Sequence, residues 1–175
     1  NDMEAIVDEC FTFFFAGSQT SSAATQNLLL HLIKNRHYGD QLLQEIENVV
    51  IRPTYEGKSP DASAWEPSNL LSMLTYEKIQ ELEFYSRCFN ESIRLQPPVY
   101  YSTSFKMTRD VVAGGLKIKA NDLFCVDIWR LCMNPKEWQE PEKFLPERFD
   151  PESKYNLTPD GKPRHPCSFT PFLGG

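Results

Sequence analysis

The stretch Glu91-Ser92-Ile93-Arg94-Leu95-Gln96-Pro97-Pro98 joins a helical part of the chain to a heavily punctuated one. Glu91 and Arg94 stand three residues apart, so on a helix they share a face. Pro97 and Pro98 stop that helix, because proline lacks a backbone N–H and pushes the residue before it toward extended backbone. Alone, such a pair is a commonplace surface contact worth about 0.2–0.5 kcal/mol. A second guanidinium changes its meaning: Arg148, in Phe144-Leu145-Pro146-Glu147-Arg148-Phe149-Asp150. A carboxylate shared by two arginine forks would clasp irregular backbone to a helix, since bidentate pairing is directional and desolvated charge must be paired. From the residues alone both readings stand, the surface pair and the three-member clasp of Glu91, Arg94 and Arg148.

Working upstream, Ile79, Leu82, Phe89, Ile93 and Leu95 extend the helix back to Tyr76. Residues 52–70, rich in Pro, Ser and Gly, read as an insertion loop, too long for a simple connector. Residues 35–51 hold a short amphipathic helix. Before it, Met3, Ile6, Val7, Cys10, Phe14, Gly17, Thr20, Ala24 and Leu28 recur at three- and four-residue steps, one face of a long helix over 1–34. Phe11, Phe13 and Phe15 make its other faces apolar too, so burial nearly all round is expected. Downstream, residues 99–128 carry short β-like runs with a Gly114-Gly115 turn. Residues 129–167 read as an ordered meander, and 168–175 as the start of a tight loop. The 13 prolines fit this division, since none precedes Pro53. The fold class expected is mainly α with a small β-sheet, within a single domain.

Composition narrows the function. A net charge of -6 in 175 residues argues against a nucleic-acid footprint, which needs clustered Lys and Arg. The five cysteines, Cys10, Cys88, Cys125, Cys132 and Cys167, are scattered and contain no C-x-x-C pair. Neither a disulfide framework nor a zinc site is indicated. No run approaches the ~18 apolar residues of a membrane span. The chain opens in helical register and ends inside a turn, so a piece of a longer protein is expected.

Two further stretches carry possible chemistry. In Ala16-Gly17-Ser18-Gln19-Thr20-Ser21-Ser22, Ala16, Gly17 and Thr20 share a helical face. A mid-helix glycine costs about 1 kcal/mol against alanine, tolerated where another body approaches the backbone. Thr20 can donate to a carbonyl one turn back, leaving a groove with a hydroxyl beside it. A flat cofactor or small diatomic ligand would fit there, and so would tight helix packing. At the other end, Ser168 to Gly175 (SFTPFLGG) places Phe172 and Gly175 three apart after Pro171.

In this order, AGSQTS, ESIRLQPP, FLPERF and PFLGG resemble the cytochrome P-450 superfamily of haem-thiolate monooxygenases. They match its distal oxygen-activation motif, its E-x-x-R helix, its meander motif and the first half of its haem-binding loop. The resemblance covers essentially the whole chain, but only the later part of a family member. It implies a haem cofactor (iron protoporphyrin), with Ala16 and Gly17 against the distal face. Thr20, with Gln19 beside it, would help deliver protons for O–O cleavage. Glu91, Arg94 and Arg148 would form the structural ion network. Val99, Tyr100, Tyr101 and Ser102 would line the substrate side, and Phe172 and Gly175 would belong to the cradle beneath the ring. The family's loop continues as Phe-x-x-Gly-x-Arg-x-Cys, which puts the axial Cys four residues beyond Gly175; no metal ligand is expected among these 175 residues, and Cys167 lies on the wrong side of the loop. The expected partners are O2, an apolar small-molecule substrate and an NADPH-dependent reductase. The expected location is the cytosolic face of the endoplasmic reticulum membrane, through an N-terminal anchor outside this sequence. The piece by itself is expected to be inactive.

The chain departs from the family pattern where Gln19 replaces the usual acid, since an amide cannot ionise and relay a proton. Leu131 to Pro135 (LCMNP) lacks the usual His-Arg, and Ser102 to Phe105 (STSF) lacks a basic residue for a haem propionate. Two other readings follow. One keeps the fold and haem but performs isomerisation or dehydration without external electrons. The other is a haem-free noncatalytic or truncated protein.

Overall fold

The computed structural model describes residues 2–55 and 59–173. Helix α1 (Asp2–Lys34) is followed by α2 (Arg36–Ile46), which runs on through a π-helical turn (Glu47–Ile51) into the short α3 (Arg52–Thr54). Next come a 3-10 turn (Ala62–Trp65), α4 (Pro67–Met73), α5 (Tyr76–Gln80) and α6 (Glu83–Leu95). Strands β1 (Phe105–Lys106) and β4 (Leu123–Phe124) pair antiparallel, as do β2 (Val111–Ala113) and β3 (Leu116–Ile118). Helix α7 (Ile128–Cys132) leads into a meander with 3-10 turns at Pro146–Phe149, Lys154–Asn156 and Pro166–Ser168. The architecture is mainly α, with a minor β component split into two separate two-stranded sheets.

Two apolar clusters hold these elements. Leu28 of α1, Tyr38 and Leu42 of α2, Phe84, Cys88 and Leu95 of α6 and Phe144 of the meander form the first. Val50, Ile51, Ala64, Met73 and Leu82 form the second. Helix α6 is central: Glu91, Ser92, Ile93, Arg94 and Leu95 are all buried. Its first turn has no side-chain cap of its own. Instead the Glu45 carboxylate of α2 accepts from the N–H groups of Phe84 (2.6 Å) and Tyr85 (2.9 Å), satisfying donors that a helix start leaves open. Tyr38 of α2 donates to both oxygens of Glu147 at 2.9 Å, tying the same helix to the meander.

Three expectations change. Helix α1 spans the expected residues but is not buried all round: Ala24 and Leu28 are its buried residues, while Phe11, Phe13, Phe14 and Phe15 are exposed. Its packing against α6 and α2 is confined to its C-terminal half, where Asn27 also donates to the Gln96 carbonyl (3.1 Å). The helix expected over 76–95 is broken at Leu82, whose backbone leaves the helical region (φ -78, ψ 73) and whose side chain enters the second cluster. The stretch 52–70 is not simply loop. Asp61 accepts from the Ser63 N–H (2.9 Å) to start one turn, and Pro67 occupies the first position of α4, where its missing N–H costs nothing. Within the β region, Gly114 and Gly115 take positive φ (56 and 83) at the expected hairpin turn. Among the described residues, no helix is long and apolar enough to cross a membrane.

Candidate functional site

Helix α1 and the end of the chain meet across a cleft of about 380 Å³. Ala16, Thr20, Ser21 and Ala24 of α1 form one wall, Phe89 and Ile93 of α6 the floor, and Pro98, Val99, Pro171 and Phe172 the remainder. Positions 16, 20 and 24 succeed one another at four-residue steps, which is why one helix face supplies them all. The lining is apolar apart from the Thr20 and Ser21 hydroxyls. Thr20 Oγ1 donates to the Ala16 carbonyl at 2.8 Å. With its proton engaged inside the helix, the hydroxyl oxygen presents its lone pairs to a ligand as acceptors.

Ala16, Thr20, Val99 and Phe172, four of the residues singled out from sequence, thus come together around one cavity. The others do not line it. Gly17 has no side chain to reach the cleft, and a Cβ built there would meet no atom within 4 Å. Gln19 is exposed on α1. Tyr100, Tyr101 and Ser102 are committed to α7 and its approach. The Tyr100 carbonyl accepts from Ile128 (2.9 Å), Tyr101 bridges Asp127, and Ser102 exchanges bonds with Val126 (2.9 and 2.8 Å). That pairing turns the chain away from the cleft directly after Val99. Gly175 lies outside the described residues. Phe89, Ile93, Pro98 and Pro171 join the lining without having been assigned to a site; Phe89 and Ile93 stand at i, i+4 on the helix that also bears Glu91, and Pro98 and Pro171 lie inside the ESIRLQPP and PFLGG stretches.

Behind α6, on the side of the meander, Glu91 and its two arginines are fully buried. Arg94 engages the carboxylate as a fork, Nε to Oε2 at 2.7 Å and Nη2 to Oε1 at 2.8 Å. Arg148 Nε donates to Oε1 at 3.0 Å, and the Leu145 N–H to the same oxygen at 2.9 Å. The remaining guanidinium donors reach backbone carbonyls: Arg94 those of Cys132 (2.9 Å) and Lys143 (3.3 Å), and Arg148 those of Gln139 and Glu140 (2.6 Å). Five segments are thereby tied to one carboxylate. Burial holds the Arg148 guanidinium below its usual range, an effect the Glu91 charge opposes. The geometry is that of the clasp, not of an exposed surface pair.

A profile of the cytochrome P450 family matches residues 2–175. The chain belongs to the cytochrome P450 family. Among known P450s, cytochrome P450 6B1 of Papilio polyxenes is 32% identical over 168 residues, covering 95% of this chain and 29% of its own length. Cytochrome P450 4F2 of Homo sapiens is 30% identical over 173 residues, 98% of this chain and 29% of its own length. Cytochrome P450 3A27 of Oncorhynchus mykiss is 29% identical over 154 residues, 88% and 26% respectively. The chain therefore spans less than a third of the P450s it matches.

The residues of this P450 chain fit a porphyrin in part. The cleft between α1 and Phe172 is narrow-walled by Ala16, apolar on its faces and supplied with a single turn of hydroxyls. An iron ligand is not among its lining residues. Among the described residues no group of three or more His, Cys, Asp or Glu could hold a metal ion. Cys88 and Cys132 are buried, and burial pushes their thiols up to about 12 and about 11, which keeps them as neutral, inert SH groups.

Proposed function

We propose that the protein is a haem-dependent monooxygenase, inserting one oxygen atom of O2 into an apolar organic substrate with externally supplied electrons. The observation that carries this reading is the cleft, where Thr20 is set among apolar walls from α1, α6 and the Phe172 turn. Ala16, Thr20, Val99 and Phe172 would hold the haem from this chain's side. When bound, haem supplies the activation of dioxygen, with a thiolate ligand favouring O–O cleavage.

The chain's own contribution is positioning and proton handling. Ala16 leaves room beside the helix, and the aliphatic and aromatic walls exclude water and suit an apolar substrate. Thr20, already donating to Ala16 (2.8 Å), accepts a hydrogen bond at Oγ1 and passes a proton on by rotating its O–H. Gln19 is exposed and is not among the cleft's lining residues, so proton delivery runs through Thr20 and water, and Gln19 lends no support to an isomerase or dehydratase. An NADPH-dependent reductase as electron donor and residence at the cytosolic face of the endoplasmic reticulum membrane complete the reading, on likeness to the family.

The test is Thr20→Ala in the full-length protein, with electrons consumed, product formed and hydrogen peroxide released all measured. Product per electron is expected to fall, with the diverted electrons recovered as peroxide. An unchanged yield would remove Thr20 from proton delivery. Product formation that needs neither an electron donor nor O2 would overturn the monooxygenase reading itself.

A further inference from the structure

A third guanidinium stands beside the Glu91 clasp without a direct ion pair to its carboxylate. Arg164 Nη2 donates to the Arg148 carbonyl (2.8 Å) and Nη1 to the Tyr155 carbonyl (2.9 Å). Its guanidinium carbon lies 4.3 Å from the centroid of the Trp138 ring, and that of Arg94 lies 5.0 Å from the same ring. Trp138 is 1% exposed, and its indole N–H has no hydrogen-bond partner among the described residues. A buried donor left unpaired is costly, so the ring is kept in place by what touches its faces and edges. On the edge side these are aromatic: Phe169 at 6.3 Å in a T-shaped arrangement and Phe149 at 6.0 Å, with Phe149 and Phe169 themselves 4.9 Å apart.

The segment after Arg164 is the one that reaches the cleft. The His165 N–H donates to Glu137 (2.8 Å), the Cys167 N–H to His165 Nδ1 (3.1 Å), and the Ser168 N–H to the His165 carbonyl (2.8 Å). The Leu173 N–H donates to the Thr170 carbonyl (3.0 Å). Between these two, Pro171 and Phe172 line the cleft. Contacts therefore run from Glu91 through Arg94 to the Trp138 ring, which Arg164 and Phe169 both meet, and the backbone carries on from Phe169 to Phe172.

We propose that Arg164 is a positioning residue: stacked on Trp138 beside Arg94, it sets the direction in which residues 165–173 leave the buried clasp and so places Phe172 at the cleft. The assignment rests on the haem-binding reading of that cleft only for its consequence, not for the placement itself. Arginine is required because a planar fork is needed to lie on the indole while its two ends reach two carbonyls; a lysine ammonium is a point charge and satisfies at most one of these demands.

The experiment is amide hydrogen exchange on the full-length protein and its Arg164→Gln, Arg164→Lys, Trp138→Leu and Trp138→Phe variants. It is read in parallel with the absorption spectrum of the reduced, carbon monoxide-bound protein. Arg164→Gln, Arg164→Lys and Trp138→Leu are expected to raise exchange over 165–173 about tenfold, the effect of losing one desolvated cation–π contact. Exchange over 83–95 should be unchanged. Trp138→Phe, which keeps a π face, should restore most of the protection. The spectrum should shift toward that of a weakened thiolate bond in the first three variants. Unchanged exchange over 165–173 overturns the proposal, and so does equal loosening of 165–173 and 83–95, which makes Arg164 an ordinary part of the fold. If the wild-type protein takes up no haem yet the exchange pattern appears, the placement role stands and the haem reading fails.

Discussion

Replacing Glu91 by glutamine keeps the side chain's shape and removes the charge on which the clasp turns. The wild-type carboxylate is fully buried and accepts four hydrogen bonds, two from Arg94 and one each from Arg148 and Leu145. In Glu91→Gln one acceptor becomes an NH2 that faces guanidinium donors, and two buried cations lose their counter-charge. Removing one partner of a buried pair costs about 3–5 kcal/mol. Here the arginines retain carbonyl partners at Cys132, Lys143, Gln139 and Glu140, so the lower end, about 3 kcal/mol, is expected. Equilibrium urea unfolding of the full-length protein reads this as a lowered midpoint at constant slope. A second arm separates charge from packing. Arg148→Met in the Glu91→Gln background removes one of the stranded cations, so the double variant is expected to be at least about 1 kcal/mol more stable than the sum of the single costs. A loss under about 1 kcal/mol in Glu91→Gln, the size of an exposed pair, or strict additivity in the cycle, would refute the clasp.

Two further outcomes follow from groups around α6. Burial raises the thiols of Cys88 and Cys132 from 9.0 to about 12 and about 11; the unfolded chain therefore gives up these protons first. Their contribution to stability is complete below pH 9.0 and is lost as pH rises toward about 11 to 12. Unfolding midpoints at several values of pH should fall across that window, less steeply in Cys88→Ala with Cys132→Ala; equal slopes would refute it. Glu45→Ala leaves the Phe84 and Tyr85 N–H groups without an acceptor and should cost about 1–2 kcal/mol, as the loss of a helix cap does. Faster amide exchange confined to the first turn of α6 checks that the cap, not the core, was removed.

Much of the frame was legible in the chain itself. The long apolar period fixed α1 as a helix, Pro97 and Pro98 closed α6 after Leu95, and Gly114-Gly115 marked a turn that needs positive φ. What was not legible lay in contacts distant along the chain. Leu82 reads as one more apolar position of a continuous helix. Its break from helical backbone follows from the second cluster drawing it in, which no local period encodes. Residues 52–70 have loop composition, yet Asp61 and Pro67 start short helices there because Ala64 and Met73 have a core to enter. Likeness to the family makes Tyr100 to Ser102 cleft residues, but hydrogen bonding to Val126, Asp127 and Ile128 commits them elsewhere.

By itself the sequence determined the types: a helix carrying a hydroxyl among small residues, a carboxylate and an arginine one step apart, a second arginine after a proline, and an aromatic turn at the end. The order of those motifs also determined the family. Only the tertiary structure decided which of them meet. Ala16, Thr20, Val99 and Phe172 share a cavity because α6 carries Phe89 and Ile93 toward it and Glu91 away from it. Trp138 and Arg164, silent in the sequence, enter because a buried cation cluster with one carboxylate needs a π face and backbone carbonyls to complete its partners. Local pattern records what a residue can do; long-range packing and charge pairing select where it does so.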